Sequence, residues 1–347
     1  MRYLSVCSGI EAASVAWRGL RWTPVGFSEI DPFASAVLQH RFPAVHNFGD
    51  LTRHEQWTLE PGAVDLLVGG TPCQSFSVAG LRAGMADPRG NLALTFLAVA
   101  DRLRPEWIIW ENVAGVLSSN GGRDFGAFLG ALGKLGYGFA YRVLDAQYFG
   151  VAQRRRRVFV VANRTDWRRA AAVLFEPQGL RGNAAQKQGQ DATSFGRGDD
   201  GEVVCRVHGV DWDECGCYCK DDSLCPYCDE WTSGLHYSPE DEGHSCCGSH
   251  MLKVCGTLSD GAHHGGGLNG QDAASGRIIV DNQGLPRRLT PLECERLQGF
   301  PDDWTSVTHR SKPAADAPRY KAIGNSMAVP VMRWIGERIA AVDEVTR

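Results

Sequence analysis

A cysteine and a glutamate that each follow an apolar run have the chemistry of an active site. Cys73 lies in the polar turn TPCQSFS after the run Val64–Gly69, and Glu111 follows the run WIIW. A thiol in such a turn becomes more acidic before a helix, whereas a structural cysteine more often lies inside an apolar run. The carboxyl ends of parallel strands meet at one sheet edge. We therefore interpret Cys73 as a nucleophile, with a structural thiol as the alternative, and Glu111 as the acid beside it.

Four consecutive arginines, Arg154 to Arg157, lead into the apolar run Val158–Ala162. Side chains alternate along a strand, so Arg155 and Arg157 are predicted to point to one face and the other two arginines to the opposite face. A solvated run of charges is the alternative interpretation. Strong positive charge at a sheet edge instead favours binding of a phosphate or a base carbonyl.

A turn suited to a cofactor follows the first apolar run. Its sequence is SGIEAA, and Glu29 ends the next run, where a carboxylate can accept both ribose hydroxyls of an adenosine cofactor. A carboxylate at Glu11 would repel a pyrophosphate, which disfavours NAD and FAD. S-adenosylmethionine has no phosphate and carries a cationic sulfur, so it is compatible. Solvated acids in a turn are the alternative for both glutamates.

These residues need a scaffold, and apolar runs alternate with helical periods from the start to about residue 162. This alternation predicts a doubly wound α/β domain. The predicted strands are Tyr3–Cys7, Pro24–Ser28, Val64–Gly69, Glu106–Trp110, Phe139–Leu144 and Val158–Ala162. The predicted helices are Ala12–Leu20, Phe33–Arg41, Ala93–Leu103, Phe125–Leu135, Thr290–Gln298 and Val329–Val342.

Composition bounds the class of protein and divides the chain near residue 175. The 347 residues are 43% hydrophobic and 22% charged, with no apolar run near the roughly 20 residues of a membrane span. Disordered, collagenous and membrane-spanning classes are therefore excluded. The start, MRYLSVCSG, has no signal-peptide pattern, which predicts a reducing cytoplasm. After Phe175 the sequence becomes rich in Gly, Gln and Asp, as in a linker.

An acidic, cysteine-rich insert occupies about residues 199–255. Thirteen acidic and two basic residues between Asp199 and Gly243 give a charge of −11, so the rest of the chain carries +7 against a total of −4. Such an insert repels DNA, so we expect it to face away from DNA or to bind another protein. Its Cys-x-Cys and Cys-x-x-Cys pairs predict a tetrahedral zinc site, with free thiols in a disordered loop as the alternative. The predicted zinc ligands are Cys215, Cys217, Cys225 and Cys228. A second site or alternative ligands could come from Cys205, His208, Cys246, Cys247 and Cys255.

Five short segments spread along the chain stand out together. In order, they are Pro72-Cys73, Glu111-Asn112-Val113, Gln153 to Arg157, Arg288 to Pro301 and Gly324-Asn325-Ser326. Together they resemble the DNA (cytosine-5)-methyltransferase family of phages and bacteria, and chance production of the five in this order is negligible. The resemblance covers both ends of the chain and implies a class I S-adenosylmethionine methyltransferase fold with a doubly wound, mostly parallel sheet.

The resemblance implies covalent catalysis on a cytosine flipped out of duplex DNA. The Cys73 thiolate would add to C6 and make C5 nucleophilic toward the methyl group of S-adenosylmethionine. Glu111 would hold N3 and the exocyclic amine, while Arg155 and Arg157 would position the base at O2 and the flanking phosphate. Loss of the C5 proton and of Cys73 would release 5-methylcytosine. The segment Ser75–Arg89 would form a mobile lid.

The resemblance also implies where S-adenosylmethionine binds. Glu29 and Ile30 would contact the adenosine, and Asp50 the adenine amine. The chain differs from the family at Cys7, where an aromatic residue is usual, and at Glu11, where a second glycine is frequent. The implied cofactor residues are Cys7, Ser8, Gly9, Ile10, Glu11, Glu29, Ile30, Asp50, Leu51, Pro72, Asn325 and Ser326.

We expect two domains with double-stranded DNA in the cleft between them. Residues 1–175, completed by 316–347, would form the catalytic domain, and 176–315 a target-recognition domain that reads the major groove. The protein is expected to act as a monomer, without a membrane, in the cytoplasm of a bacterial or phage-infected cell. Two rival interpretations are an RNA cytosine-5 methyltransferase and a vestigial methylase that serves as a DNA-binding or zinc-dependent interaction module.

Overall fold

The chain divides into two compact units in a computed structural model. The larger unit joins Met1–Leu174 to Val254–Arg347, and the smaller is Phe175–Lys253. No helix among the described residues is long and apolar enough to cross a bilayer. The structure describes residues 1–72, 92–175, 195–197, 203–205, 278–280 and 286–346.

A six-stranded sheet forms the centre of the larger unit. Its strands are β1 (Arg2–Val6), β2 (Thr23–Ser28), β3 (Leu66–Gly69), β4 (Trp107–Val113), β5 (Gly138–Asp145) and β6 (Arg156–Asn163). They lie in the order β2-β1-β3-β4-β6-β5. The first four are parallel, whereas β6 is antiparallel to both of its neighbours. The predicted doubly wound, mostly parallel sheet is confirmed, and every predicted strand overlaps an observed one.

Helices cover both faces of this sheet. They are α1 (Ala12–Ala16), α2 (Pro32–Arg41), α3 (Leu92–Leu103), α4 (Arg123–Lys134), α5 (Trp167–Leu174), α6 (Pro291–Gln298), α7 (Asp316–Asn325) and α8 (Val329–Thr346). Strand β4 shows why two faces are needed, because all its first four side chains are buried. Trp107 and Ile109 pack in one apolar cluster with α1, α2 and α8, while Ile108 and Trp110 pack in a second with α3 and α4. The result is three layers around two cores.

The last helix closes the larger unit by packing on the first. Trp17 Nε1 donates a hydrogen bond to Met332 O at 2.8 Å. A Cβ on Gly336 would lie 2.2 Å from Trp17 Nε1, so only glycine permits this approach. Trp107 Nε1 also donates to Asp343 Oδ1 at 3.0 Å. Helix α8 is thereby attached to the centre of the sheet.

Residues 286–315 pack with the sheet, whereas the sequence analysis placed them in the recognition domain. Leu289, Phe300 and Trp304 are buried in the same cluster as α1 and α8. A capping box between Thr290 and Glu293 begins α6, as its sequence predicts. The remaining described strands form three antiparallel pairs, Phe195–Arg197 (β7) with Val203–Cys205 (β8), Ile278–Val280 (β9) with Pro286–Arg288 (β10), and Thr308–His309 (β11) with Lys312–Pro313 (β12).

Candidate active site

The backbone that leads to the predicted nucleophile is held by β4. Thr71 is buried, and its hydroxyl oxygen accepts from Trp110 Nε1 at 3.0 Å. Its carbonyl oxygen accepts from Asn112 Nδ2, also at 3.0 Å. Pro72 follows at the exposed edge of the sheet, while Cys73 and the predicted lid lie outside the described residues. Two side chains of β4 therefore fix the point from which the Cys73 segment starts.

Glu111 lies at the same edge, 9% exposed. Its Oε1 is 3.2 Å from Arg157 Nε. Burial raises the pKa of Glu111, while the positive charges of Arg155 and Arg157 oppose this rise. A Cβ on Gly70 would lie 2.9 Å from Glu111 Oε2, so the backbone after β3 packs directly on this carboxyl group. Glu111 is thus an acid that packing holds in place, and burial outweighs the two nearby arginines in setting its pKa.

The predicted alternation of the arginine run is confirmed. Arg155 is 3% exposed and Arg157 is half-buried, whereas Arg154 and Arg156 are exposed. The pairing of Val113 with Arg157 in neighbouring strands brings the second arginine to the carboxyl end of β4. Arg155 and Arg157 are therefore turned inward on the side of Glu111, while Arg154 and Arg156 face solvent.

Arg155 connects the arginine run to the closing Gly-Asn-Ser segment. Its backbone N–H donates to Asp145 Oδ1 at 2.9 Å, and its Nη2 donates to Ser326 O at 2.6 Å. Burial lowers the pKa of Arg155 to about 9, with Arg157 adding to this shift and Glu111 opposing it. The backbone bond thus fixes the residue beside the end of β5, and the Nη2 bond ties its guanidinium to the closing segment.

Two glutamines without a predicted role join three of the family segments. Gln153 Nε2 donates to Leu297 O at 2.9 Å and to Gln298 Oε1 at 3.2 Å. Gln298 Nε2 donates to Ile323 O at 2.8 Å and to Ser326 O at 3.3 Å. Both side chains are fully buried. In the sequence, only their positions within the family segments indicated a role for these glutamines. An amide side chain is neither a nucleophile nor an acid or base, so its residue type alone does not predict a functional site.

The predicted cofactor turn has an unusual backbone. Cys7, Gly9 and Glu11 all have positive φ, at 48°, 56° and 67°. Two of them are not glycine, so the turn carries strain that its surroundings must hold. Trp304 Nε1 donates to Ile10 O at 2.9 Å and fixes the middle of the turn. The segment after α6 therefore shapes the turn after β1.

The adenosine residues predicted from the sequence lie along the ends of β1 and β2. Glu29 Oε2 accepts from Gly9 N at 2.7 Å, which links the two strand ends. Ile30 is 69% exposed, unusual for a large apolar side chain, and thus available for a flat ligand. Asp50 Oδ1 accepts from a backbone N–H at 2.9 Å, and Leu51 beside it is buried. The turn, the carboxylate and the apolar side chain are thus close along one sheet edge.

Glu11 is the most unusual group of the turn. Its Oε1 accepts from Ser14 N at 3.0 Å and Ser14 Oγ at 2.9 Å. Its buried Oε2 forms no hydrogen bond of standard geometry, although the Ser5 side chain also interacts with the carboxyl group. Burial raises the pKa of Glu11 to about 7 against the opposing effect of its hydrogen bonds. Burial also raises the pKa of the Cys7 thiol to about 12, which makes it unreactive.

A cleft joins these parts. It brings together the predicted cofactor turn, the end of β3, Glu111 and the closing segment. Among the described residues that line it there are two carboxylates and no cationic side chain, which fits a phosphate-free ligand with positive charge, such as S-adenosylmethionine. No group of three His, Cys, Asp or Glu suited to a metal occurs in the described part of the chain. The lining residues are Ser5, Cys7, Ser8, Gly9, Glu11, Ala12, Ala13, Val68, Gly70, Glu111, Asn325, Ser326 and Met327.

Known proteins of similar sequence are methyltransferases of phages and bacteria. A protein of Escherichia phage P1 named DNA N-6-adenine-methyltransferase is 36% identical, and the match covers 97% of this chain but 61% of that protein. Type II methyltransferase M2.BsuMI of Bacillus subtilis is 28% identical, with 98% of this chain and 75% of the relative covered. The chain therefore spans less than two thirds of the phage protein's length.

The fold is also that of solved methyltransferases. The S. pombe Dnmt2 methyltransferase aligns over 100% of this chain and 99% of its own with a TM-score of 0.56 and 18% identity. The Spodoptera frugiperda protein DNMT2 gives a TM-score of 0.55 and 19% identity. The family described as C-5 cytosine-specific DNA methylase matches residues 1–193 and 249–341. The chain belongs to the C-5 cytosine-specific DNA methylase family.

Proposed function

We propose that the protein is an S-adenosylmethionine-dependent DNA (cytosine-5)-methyltransferase. The observation that carries the proposal is the convergence of Glu111, Arg155 and Arg157 at the edge where Pro72 leads to Cys73. An acid beside two arginines matches a pyrimidine that presents N3, an amine and O2. Arg157 and Glu111 are partly exposed, so a base can reach them.

In the proposed reaction, the Cys73 thiolate forms a bond to C6 of a flipped cytosine, and the displaced electron pair makes C5 nucleophilic. Glu111 stabilises this adduct at N3 and the exocyclic amine, because burial favours its protonated, hydrogen-bond-donating form. Arg157 orients the base, and Arg155 holds the closing segment at Ser326. Bound S-adenosylmethionine would supply the methyl group that C5 accepts. The C5 proton then leaves to solvent, and its electron pair restores the C5–C6 double bond and expels the Cys73 thiolate.

The residues proposed to hold S-adenosylmethionine fit it. The turn from Cys7 to Glu11, together with Asn325 and Ser326, lines the cleft. Glu29 already accepts from two backbone N–H groups, which fixes its carboxylate for the ribose hydroxyls. Among the described lining residues the two carboxylates support a cationic, phosphate-free cofactor over one that carries a pyrophosphate.

Adenine N6 methylation of DNA is the second candidate, because the phage P1 relative carries that name. An exocyclic amine needs no covalent activation, so this reaction would leave Cys73 without a role. An RNA substrate and a vestigial methylase are the other two rivals. All of them differ from the proposal in the methylated nucleoside or in the need for Cys73.

The cysteine-rich insert is proposed to bind zinc through Cys215, Cys217, Cys225 and Cys228, which lie outside the described residues. Metal analysis of the purified protein should find one zinc per chain, and replacing the four cysteines by serine should remove it. The further proposals are duplex DNA as substrate, a monomeric enzyme and action in the cytoplasm of bacterial or phage-infected cells, in keeping with bacterial and phage relatives.

The test is methylation of unmethylated duplex DNA by the full chain, with nucleosides quantified by mass spectrometry. We expect 5-methylcytosine from the wild type and none from Cys73→Ala. Arg157→Gln should lower the rate at least about 100-fold, since transition-state contacts of this kind are worth that much. Arg168→Gln is the matched control, because this exposed arginine of α5 lies outside the proposed site. N6-methyladenine, methylated RNA alone, or 5-methylcytosine from Cys73→Ala would refute the proposal.

A further inference from the structure

Glu11 combines three features that its contacts within the protein do not account for. Its φ of 67° lies in the left-handed region, where a glycine would avoid strain. Its side chain is 1% exposed, and its buried Oε2 forms no hydrogen bond of standard geometry, although the Ser5 side chain also interacts with this carboxyl group. Glu11 caps the start of α1 through Oε1, and this role does not need the second oxygen, Oε2. Strain and a buried unpaired polar atom in one residue both reduce stability, and their coincidence at a cleft indicates a ligand.

Among the described residues, a negatively charged group acts on Glu11 and no positively charged group does. Glu29 acts on it from the end of β2, and Tyr3 reaches it from β1 through Ser14. Glu111 lines the same cleft from β4, but the charges of Arg155 and Arg157 act on that carboxyl group. Within the described lining of the cleft, positive charge for Glu11 must therefore come from a ligand.

We propose that Glu11 selects the sulfonium form of the cofactor over the neutral thioether that remains after methyl transfer. This inference rests on the proposed function, and it deepens the cofactor site. S-adenosylmethionine and S-adenosylhomocysteine differ by one methyl group and one positive charge. A buried carboxylate senses that charge strongly, because the surrounding protein screens it less than water does.

The alternative partner for Glu11 is the amino group of the methionyl end. Both ligands carry that ammonium, so a carboxylate bound to it would strengthen binding of both equally. The sulfonium is present only before transfer. If Glu11 contacts the sulfur, S-adenosylhomocysteine should bind more weakly than S-adenosylmethionine, which favours release of the spent cofactor. If Glu11 contacts the amino group, the two ligands should not differ in this way.

Calorimetric titration of the full chain with each ligand tests the inference. Glu11→Gln keeps the size of the side chain and an oxygen for Ser14 but removes the charge. We expect it to weaken S-adenosylmethionine binding about tenfold, the effect of one buried charge contact, and S-adenosylhomocysteine binding less than about twofold. Sinefungin, which carries an amine in place of the sulfonium, should follow S-adenosylmethionine. Glu11→Gly, which suits the positive φ, should lose the same selectivity even if it is the more stable variant.

Glu29→Gln is the matched control, since a ribose contact is common to all three ligands and should be lost equally for each. Equal weakening of both cofactor forms by Glu11→Gln, or no weakening, would overturn the inference. Failure of the folded wild type to bind either form would overturn the cofactor site and the inference together. Charge selection by a protein that methylates no cytosine would support the inference and refute only the proposed function.

Discussion

The packing of the last helix on the first gives a quantitative prediction. In Gly336→Ala, the new Cβ would lie 2.2 Å from Trp17 Nε1 and 2.4 Å from Cδ1 of the same ring. Normal carbon contacts need about 3.5 Å, so the helices must separate by more than about 1 Å. The indole cannot move aside, because it is 1% exposed and its ring packs at 5.0 Å against Tyr3 and 5.1 Å against Trp22.

The expected cost follows from three contributions. Overpacking of a close-packed core costs about 1–3 kcal/mol. Separation also lengthens the hydrogen bond from Trp17 to Met332 O, worth about 1 kcal/mol. The higher helix propensity of alanine stabilises the folded protein by about 1 kcal/mol relative to glycine. The free energy of unfolding should therefore fall by about 1–3 kcal/mol. Because α8 begins three residues after Ser326, S-adenosylmethionine binding should also weaken.

Urea unfolding followed by tryptophan fluorescence measures this change, provided that the slope with urea is unchanged. Gly130→Ala is the matched control, because Gly130 is exposed within α4 and a Cβ there meets nothing within 4 Å. That variant should gain about 0.5–1 kcal/mol from helix propensity alone. Equal gains in the two variants would refute the packing argument, since they would show that α8 does not press on Trp17.

Three further predictions concern the site. Gly70→Ala should lower the methylation rate about 10–100-fold with little loss of stability. The reason is that the new Cβ would lie 2.9 Å from Glu111 Oε2 and displace this carboxyl group. Initial rates of methylation and melting temperatures measure the two effects. The pKa of Glu11 is near 4.5 in the unfolded chain and about 7 in the folded protein. The free energy of unfolding of the wild type should therefore fall by about 3 kcal/mol between pH 5 and 8. Unfolding titrations should show no such fall for Glu11→Gln, which has no proton to lose. Gln298→Leu should cost about 2–4 kcal/mol in urea, because buried partners lose their hydrogen bonds.

Local sequence patterns predicted the sheet well but not its pairing. The strand predicted at Glu106–Trp110 extends to Val113, so Glu111 and Asn112 belong to β4 rather than to a following loop. Pairing with β6 through Val113 and Arg157 explains the extension. The residues that supply those hydrogen bonds lie more than forty positions away, and a local apolar pattern carries no information about them.

Two helices, α5 and α7, escaped prediction, and only α5 has an apolar face at helical spacing, formed by Ala170, Val173 and Leu174. Helix α7 has the sequence DAPRYKAIGN, and only Ala322, Ile323 and Gly324 are buried. Such a segment resembles a loop, because its helical form depends on packing against α6 and α2 rather than on an apolar stripe. Its last residue is Asn325. The family resemblance therefore identified the Gly-Asn-Ser segment, whereas the apolar pattern did not predict the helix that ends there.

The positions of the site residues depend on buried polar groups that sequence reasoning undervalues. Ser326 O accepts from Arg155 Nη2 and from Gln298 Nε2, and Ser326 itself lines the cofactor cleft. One carbonyl group therefore holds an arginine of the proposed base site, an amide of α6 and a wall of the proposed cofactor site in a fixed relation. Buried hydrogen bonds are costly to break, so these parts are expected to move together. The shared oxygen thus links family segments that lie far apart in the sequence, a link that no local pattern of residues predicts.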